Sequence, residues 1–234
     1  MNNLILELQQ LVGQTDRVSE ALRLVADRFP GKTAFSTSFG VEDQAITHII
    51  FTNNLPIRVF TLETGRLFPE TYYVWNRTRE IYQRDIEAYF PDTAALQRLI
   101  TEKGPSSFYE SVDNRKECCR IRKVEPLQRA LQGVECWITG IRAEQSANRH
   151  DMSPVEWDAG NALVKFHPIY NWTLNQVWEF VRTHHIPYNP LHDKGFPSIG
   201  CQPCTRAVRD GEDFRAGRWW WEDQSKKECG LHAS

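Results

Sequence analysis

The sequence has no long apolar run and little net charge. None of its hydrophobic stretches approaches the roughly 20 residues that a membrane span requires, and its first residues lack the basic and apolar blocks of a signal peptide. Its 28 lysines and arginines almost balance its 30 aspartates and glutamates, for a formal charge of −2. With so little net charge, no overall electrostatic field favours nucleic acid or an acidic membrane as a partner, and we expect the protein to bind neither. Because a signal peptide and a membrane span are both missing, we also expect a cytoplasmic protein.

Internal repeats and low-complexity segments are also missing, so neither a repeat architecture nor a long linker is indicated. With 41% hydrophobic residues in 234, the chain is long enough to bury one sizeable core. We predict a single α/β domain over residues 1–234. Within it, residues 186–234 are rich in proline, glycine and charge, and are predicted to form a loop-rich C-terminal segment with a mobile tail.

Short apolar strands alternate with helical segments along the chain. The predicted strands are residues 33–36, 57–62, 86–90, 135–139 and 162–166. The predicted helices are residues 18–29 (capped by Asp16), 41–51, 69–83, 94–102, 120–131 and a last one capped by Thr173 that runs to His184. This order implies parallel β-α-β units, and hence an open, twisted parallel sheet flanked by helices.

Polar loops follow the predicted strands, at the sheet edge where such folds bind ligands. The loop at residues 36–40, Ser-Thr-Ser-Phe-Gly, offers hydroxyl and backbone N–H groups to an anion at a helix N-terminus. It lacks the Gly-Lys-Ser/Thr ending of a nucleotide-hydrolysing P-loop, and a helix-capping turn explains it equally well. Glu42 and Asp43, which follow directly, would oppose a bound anion unless they pair with cations.

Many cations lie in or near loops and cysteines. They are Arg120, Arg122, Lys123, Arg142, Arg149, Arg206, Arg209, Arg215 and Arg218. A solvated surface accounts for any single one of them, but as a set they suit an anionic substrate.

Five of the six cysteines fall into three groups: the adjacent Cys118 and Cys119, the pair Cys201 and Cys204, and Cys229 near the C-terminus. In a reducing compartment such residues are more often ligands or reactive thiols than disulfides. Four thiolates in two pairs can enclose a metal centre. Because adjacent helical residues point about 100° apart, a single zinc ion would be strained and a [4Fe-4S] cluster is favoured, with zinc left as the alternative.

The sequence around Cys136 and around Cys229 indicates a role less clearly. Cys136 lies in an apolar strand and is predicted to be a buried small hydrophobe. Cys229 is followed by Gly230 and preceded by two lysines, which suits a nucleophile, although a spare thiol near a terminus is the simpler interpretation of composition alone.

Three cysteine-centred motifs resemble those of assimilatory adenylyl-sulfate reductases. They are RKECCRIRKVEPL at residues 115–127, GCQPCTR at 200–206 and KECGLH at 227–232, and the resemblance extends to TLETGRLFPETY at 61–72 and WITGIR at 137–142. It implies an adenine nucleotide α-hydrolase-like fold. It also implies one [4Fe-4S] cluster per subunit, held by Cys118, Cys119, Cys201 and Cys204, with Cys229 as the catalytic nucleophile.

The resemblance further implies a substrate site built from two loops and several cations. Its residues are Ser36, Thr37, Ser38 and Gly40 on the phosphate side, Leu62, Thr64, Gly65 and Arg66 on the adenosine side, and Lys123, Arg142, Arg215, Arg218 and His232 around the phosphosulfate. The implied reaction is reduction of adenylyl sulfate to sulfite and AMP, in sulfate assimilation and cysteine biosynthesis. Cys229 would form an S-sulfocysteine, which a separate thioredoxin or glutaredoxin would reduce.

Alternatives remain. Glu63 stands where the family usually has Asp, and Ser38-Phe39-Gly40 resembles the phosphoadenylyl-sulfate branch, whereas residues 41–43 and the four cluster cysteines match the adenylyl-sulfate branch. A phosphoadenylyl-sulfate or dual-specificity reductase is therefore the alternative, followed by an ATP pyrophosphatase-type adenylating enzyme and a cluster-bearing nucleic-acid sensor. A homo-oligomer is also possible from the sequence. The three tryptophans at residues 219–221 are expected to pack against the protein and so anchor the tail.

Overall fold

Six strands form one sheet within residues 2–145 and 152–222, the part of the chain that the computed structural model describes. The strands are β1 (Thr33–Ser36), β2 (Arg58–Leu62), β3 (Glu87–Tyr89), β4 (Cys136–Ile138), β5 (Val155–Asp158) and β6 (Leu163–Phe166). Their spatial order is β3-β2-β1-β4-β6-β5. β1 pairs in parallel with both β2 and β4, and β4 pairs in parallel with β6, while β5 is antiparallel to β6.

Eight α-helices accompany the sheet in the described residues. They are α1 (Asn2–Val12), α2 (Val18–Arg28), α3 (Val41–Thr52), α4 (Pro69–Tyr82), α5 (Thr93–Lys103), α6 (Val112–Cys119), α7 (Glu125–Ala130) and α8 (Leu174–Thr183). A π-helical turn, Arg120–Val124, connects α6 to α7. None of the described helices is both long and apolar enough to cross a membrane.

The chain divides into two units. The first, here called the sheet unit, comprises Met1–Thr61, Tyr73–Glu87 and Gly133–Asn189, and the second, the cysteine unit, comprises Leu62–Tyr72, Ala88–Gln132 and Pro190–Ser234, each as far as its residues are described. One domain over residues 1–234 stays a prediction.

The core of the sheet unit forms between the central strands and the helices next to them. Phe35 of β1 and Ile138 of β4 are fully buried, and they pack with Leu22 of α2, Ile46 of α3 and Val177 of α8. The apolar residues of α2 and α8 recur at helical spacing and therefore form one buried stripe on each helix. This packing confirms the predicted fold class of a mostly parallel sheet flanked by helices.

Most predicted elements match the structure, with several differences. The predicted Asp16 cap of α2 is wrong, because Arg17 occupies the N-cap position and its side chain makes no capping bond. α1 was not predicted. The helix expected at residues 120–131 is divided between the π-helical turn and α7, and α6 precedes it. The Thr173 cap is confirmed: its hydroxyl accepts from the Gln176 N–H at 3.2 Å.

β5 was also missing from the prediction, and its stability depends on its neighbour. Lys165 of β6 is 2% exposed, and its Nζ lies 3.0 Å from Asp158 Oδ2 and 3.8 Å from Glu156 Oε1, both on β5. A buried ammonium group needs such carboxylates, so these cross-strand ion pairs help to hold a polar edge strand that has no strong local pattern.

Candidate functional site

Four cysteines line one pocket in the cysteine unit, and we call it the cysteine pocket. It contains about 330 Å³ of empty space, part of it open to solvent. Its lining residues are Arg66, Phe108, Arg115, Cys118, Cys119, Arg122, Lys123, Cys201, Cys204 and Trp219. The structure thus brings together the two cysteine pairs, which are about eighty residues apart in the sequence.

The first cysteine pair lies where α6 meets the π-helical turn. Ser111 caps α6 by accepting from the Asn114 N–H at 3.1 Å, and the helix ends at Cys119. Cys118 and Cys119 share the pocket wall with Arg122 and Lys123, four residues further on, because side chains at that spacing lie on one helix face. Turns of the π type occur frequently at functional sites.

The second pair lies on a 3-10 turn, Gln202–Cys204. The Cys204 N–H donates to the Cys201 carbonyl at 3.0 Å, and the Gln202 N–H donates to the Arg66 carbonyl at 2.8 Å. Tyr109 donates its hydroxyl to the Pro203 carbonyl at 2.7 Å. These bonds fix the backbone of the turn that carries Cys201 and Cys204.

The electrostatic surroundings of these thiols differ. Burial raises the pKa of Cys118, and burial together with the nearby Cys201 raises the pKa of Cys204 to about 12. Burial also disfavours ionisation of Cys201, but the Lys123 ammonium and the hydrogen bond to Thr64 outweigh it and lower the pKa of this thiol. Its Sγ lies 3.3 Å from Thr64 Oγ1. Among these three thiols, Cys201 is therefore the one whose surroundings favour ionisation.

Buried N–H groups around the pocket also favour negative charge. Among the described residues, the Nε atoms of Arg122 and Arg218 and the Nε1 atom of Trp221 are buried and have no hydrogen-bond partner. Unpartnered buried donors are costly, and an anion in contact with them would offset that cost. Within residues 2–145 and 152–222, no group of three or more His, Cys, Asp or Glu side chains is arranged as a single metal ion would require.

The loop at residues 62–66 is joined to the pocket by its backbone. An Arg122 Nη1 group donates to the Thr64 carbonyl, and Arg66 places its guanidinium 4.8 Å from the Phe108 ring centre. Glu63, the residue that departs from the family pattern, is 4% exposed and accepts from the Gly65 N–H at 2.6 Å. Its longer side chain folds back onto its own loop, where Gly65 has a φ of 69°.

The loop at residues 36–40 lies in the sheet unit, after β1. The N–H and the hydroxyl of Ser38 both donate to Asp43 Oδ2 at 2.6 Å, and the Phe39 N–H donates to Thr37 Oγ1 at 3.1 Å. Trp137 donates its indole N–H to Ser36 Oγ at 2.8 Å. The Asp43 carboxylate of α3 thus already accepts from two donors that an external anion would need. Gly40 is the N-cap of α3 and makes no side-chain capping bond, and binding of an anion by this loop stays a prediction.

The negative charge of the Glu42 carboxylate is balanced by a nearby cation, the condition under which the sequence allowed an anion to bind close by. Its Oε1 accepts from Arg142 Nη2 at 2.9 Å and from Gln145 Nε2 at 3.0 Å. Arg142 is 1% exposed, and its Nη1 also reaches Glu144 and the Trp172 carbonyl, both at 3.3 Å. The guanidinium predicted to hold substrate is therefore part of a buried ion-pair network in the sheet unit.

Two other predicted cations lie in the cysteine unit. Arg218 is buried, donates to Ser198 Oγ at 3.4 Å and to the Ile199 carbonyl at 3.3 Å, and lies 4.9 Å from the ring centre of Trp219. Arg215 is half-buried, and its backbone N–H donates to Asp213. Cys229, His232 and Arg149 lie outside the described residues, so their roles stay predictions.

Sequence reasoning missed several pocket residues. Phe108 and Arg115 line the pocket, and Trp219 is 1% exposed against it, which confirms a packing role for the first of the three tryptophans. Arg115 precedes Cys118 by one helical turn, a spacing that could have identified it. Cys136 is fully buried in β4, as predicted, and burial raises its pKa.

The fold and the pocket define an α/β protein with a polar loop after its first strand and a buried four-cysteine centre. A family model for the phosphoadenosine phosphosulfate reductase domain matches residues 32–207. An adenosine 5'-phosphosulfate reductase of Allochromatium vinosum is 52% identical over 85% of this chain and 77% of its own. One of Burkholderia cepacia is 46% identical over 95% and 89%. The chain therefore belongs to the phosphoadenosine phosphosulfate reductase family.

Solved structures agree on the fold. A phosphoadenylyl-sulfate reductase from Candida auris, in a phosphate complex, matches with a TM-score of 0.74 and 26% identity over 87% of this chain and 96% of that one. A Candida glabrata FMN adenylyltransferase matches with a TM-score of 0.55 at 15% identity, over 97% and 83% of the two chains, which shows a shared fold alone.

Replacing Asp43 with Asn should change how stability depends on pH. Burial, partly offset by the Ser38 hydrogen bonds, raises the pKa of Asp43 from 3.8 to about 6. Between those values the folded state keeps a proton that the unfolded state has lost, so Asp43 makes unfolding easier as pH rises from about 4 to 6. Asn cannot titrate. Asp43→Asn should therefore gain stability relative to wild type over this interval, by up to about 3 kcal/mol.

Urea unfolding of both proteins between pH 4.5 and 7.5 measures this difference. Asp27→Asn, on the exposed face of α2, controls for loss of a carboxylate. A difference between Asp43→Asn and wild type that is the same at every pH would contradict the account.

Proposed function

We propose that this chain is an adenylyl-sulfate reductase, which converts adenylyl sulfate to sulfite and AMP in cytoplasmic sulfate assimilation. The observation that carries the proposal is the cysteine pocket, in which four buried thiols face cations and unpartnered N–H groups. Support comes from relatives named adenosine 5'-phosphosulfate reductase, which are 44% to 52% identical over most of the chain.

The pocket suits a [4Fe-4S] cluster, as the resemblance implies. Four Cys thiolates are the usual ligands of such a cluster, and Cys118, Cys119, Cys201 and Cys204 supply them here. Arg122, Lys123 and Arg218 would balance its negative charge. When bound, the cluster would supply an anionic centre that orders these cations, and it would carry no net electrons in the reaction.

Replacing Cys201 with Ser should remove the iron. A hydroxyl is a poor replacement for the thiolate that Lys123 and Thr64 stabilise, so purified Cys201→Ser should lose most of its bound iron and its brown colour. Iron assay and visible absorption measure the loss. Cys136→Ala, which changes a cysteine buried in β4 outside the pocket, should keep its iron. Equal iron contents in wild type and Cys201→Ser would refute the ligand assignment.

The substrate carries phosphate and sulfate charges that this chain would bind locally. The loop at residues 36–40 would bind the anionic group through its backbone and hydroxyl donors, and the loop at residues 62–66 would contact the adenosine. Lys123 and Arg218 would reduce repulsion between an anionic nucleophile and an anionic target. These contacts matter most where water is excluded, since the local dielectric is then low.

The Cys229 thiolate would carry the covalent step. Its sulfur attacks the sulfur of adenylyl sulfate, an S–S bond forms, and the S–O bond to the phosphate breaks, so AMP leaves with the electron pair. The product is an S-sulfocysteine. A thiolate of a separate dithiol donor, thioredoxin or glutaredoxin, then attacks Cys229 Sγ and displaces sulfite. The donor's second thiol resolves the mixed disulfide, so the donor supplies both electrons and Cys229 is regenerated.

Replacing Cys229 with Ser separates binding from chemistry. The variant should keep its iron and bind AMP as wild type does. Sulfite release should fall by at least about a thousandfold, because the serine hydroxyl is a much weaker nucleophile than the cysteine thiolate. Coupled sulfite assay and AMP calorimetry measure the two properties. Sulfite production at the wild-type rate would show that another residue is the nucleophile.

The substrate distinguishes the two branches of the family. Ser38-Phe39-Gly40 and the Candida auris neighbour favour a phosphoadenylyl-sulfate reductase as the second candidate. Anaerobically prepared protein with thioredoxin should release sulfite from adenylyl sulfate with a kcat/KM at least about tenfold above that for the 3'-phosphorylated form, a difference of about 1.4 kcal/mol. The reverse preference would establish the second candidate, and release from neither substrate would refute both.

A further inference from the structure

Arg218, in the cysteine unit, is a buried cation that pairs with no carboxylate among residues 2–145 and 152–222. It is 8% exposed, and its Nη1 donates only to neutral acceptors, Ser198 Oγ at 3.4 Å and the Ile199 carbonyl at 3.3 Å. Its Nε is buried and makes no hydrogen bond within the described chain. Because burying an unpaired charge is costly, this position favours a bound anion.

The Arg218 guanidinium occupies the space that a side chain at residue 200 would need. A Cβ on Gly200 would lie 2.5 Å from Arg218 Cζ and 2.9 Å from Nη1, and closer still to Nη2. Non-bonded heavy atoms prefer separations of about 3.5–4.0 Å, so a methyl group and this guanidinium cannot share the space. Gly200 does not have a positive φ. The position therefore requires glycine for room, not for backbone conformation.

Main-chain contacts join the segment that carries Arg218 to the turn that follows Gly200. Arg218 pairs with Thr205 in an antiparallel bridge, and the Thr205 hydroxyl donates to the Cys201 carbonyl at 2.9 Å. The backbone of both segments is thus fixed. Where the guanidinium lies then depends on its own side-chain conformation and on the space that residue 200 leaves open.

This arrangement brings the charge next to the cysteine pocket. Cys201, which follows Gly200 directly, lines the pocket, and so does Trp219, whose ring centre lies 4.9 Å from the Arg218 guanidinium. A cation that is buried and held in place attracts an anion more strongly than one in water, because the local dielectric is low and little reorganisation is needed. A shift of the guanidinium away from Gly200 would lose that advantage.

We propose that Gly200 is a positioning residue for anion binding: because it lacks a side chain, residues 198–200 hold the Arg218 guanidinium where its charge reaches the phosphosulfate of the substrate. This inference rests on the proposed function, which takes Arg218 as one of the cations around that group. Gly200 has no functional group of its own and acts through Arg218. Its effect is therefore on affinity for the anion, and it disappears when the Arg218 charge is removed.

Gly200→Ala is the first test. The added methyl group meets the tip of a flexible side chain, so the variant should keep the iron content and the urea unfolding midpoint of wild type. Its affinity for ADP, whose β-phosphate replaces the sulfate of adenylyl sulfate, should fall about tenfold, because a hydrogen bond to a charged group is lost. Isothermal titration calorimetry of anaerobically purified protein measures this affinity without turnover.

Arg218→Met shows whether the methyl group acts through the guanidinium. Met keeps much of the length of the side chain but not its charge. In this background Gly200→Ala should change ADP affinity by less than about twofold, so the effects of the two substitutions should not be additive. An alanine that merely distorted the backbone around residue 200 would weaken ADP binding by the same factor in both backgrounds, and that result would overturn the inference.

Gly160→Ala is the matched control. Gly160 lies between β5 and β6, also lacks a positive φ, and a Cβ there would be 3.4 Å from Asp158 Oδ1, an ordinary contact. Its ADP affinity should stay within about twofold of wild type. If Gly200→Ala does not fold, a folded Gly200→Ala/Arg218→Met variant would show that the two side chains compete for one space, and failure of that variant as well would overturn the inference.

The inference and the proposed function fail in different ways. Wild-type ADP affinity in Gly200→Ala, in a protein that releases sulfite from adenylyl sulfate, would overturn the inference alone. If the wild-type protein releases no sulfite from adenylyl sulfate, the proposed function fails and the inference fails with it.

Discussion

Ionised side chains buried away from water have to be partnered, and this requirement shapes both units of the molecule. In the sheet unit, Arg142 neutralises Glu42, and Lys165 is held by Asp158. In the cysteine unit, Arg115 pairs with Glu222. Each pair joins two different segments or secondary-structure elements. Because an unpaired buried charge is costly, the two elements that carry a pair have to pack against each other.

The cysteine pocket applies the same constraint to a site. Its cations lie among sulfurs and aromatic rings, and some of their N–H groups have no protein acceptor among the described residues. A group of cations facing thiols is stable only when negative charge is present, as thiolate, as cluster or as substrate. This explains how a chain with a formal charge of −2 can still suit an anionic nucleotide: the positive charge is local.

Much of this could be predicted from sequence, because local patterns determine it. β1 has the predicted bounds, the Thr173 cap is present, and Glu42 is paired with a cation. The pairing of Arg115 with Glu222 could not be predicted, because it joins residues 107 positions apart. Likewise, Asp16 looked like a good cap, but the chain enters α2 one residue later, so that Arg17 is at the N-cap position.

We propose that the buried thiols and cations of the cysteine pocket form one site for an anionic iron-sulfur centre. Mössbauer spectroscopy of anaerobically purified, ⁵⁷Fe-labelled protein, with metal and sulfide analysis of the same sample, measures the composition of that centre. We predict about four iron and about four sulfide per chain, with the spectrum of a cubane cluster. One zinc ion per chain, with no iron and no sulfide, would contradict the account.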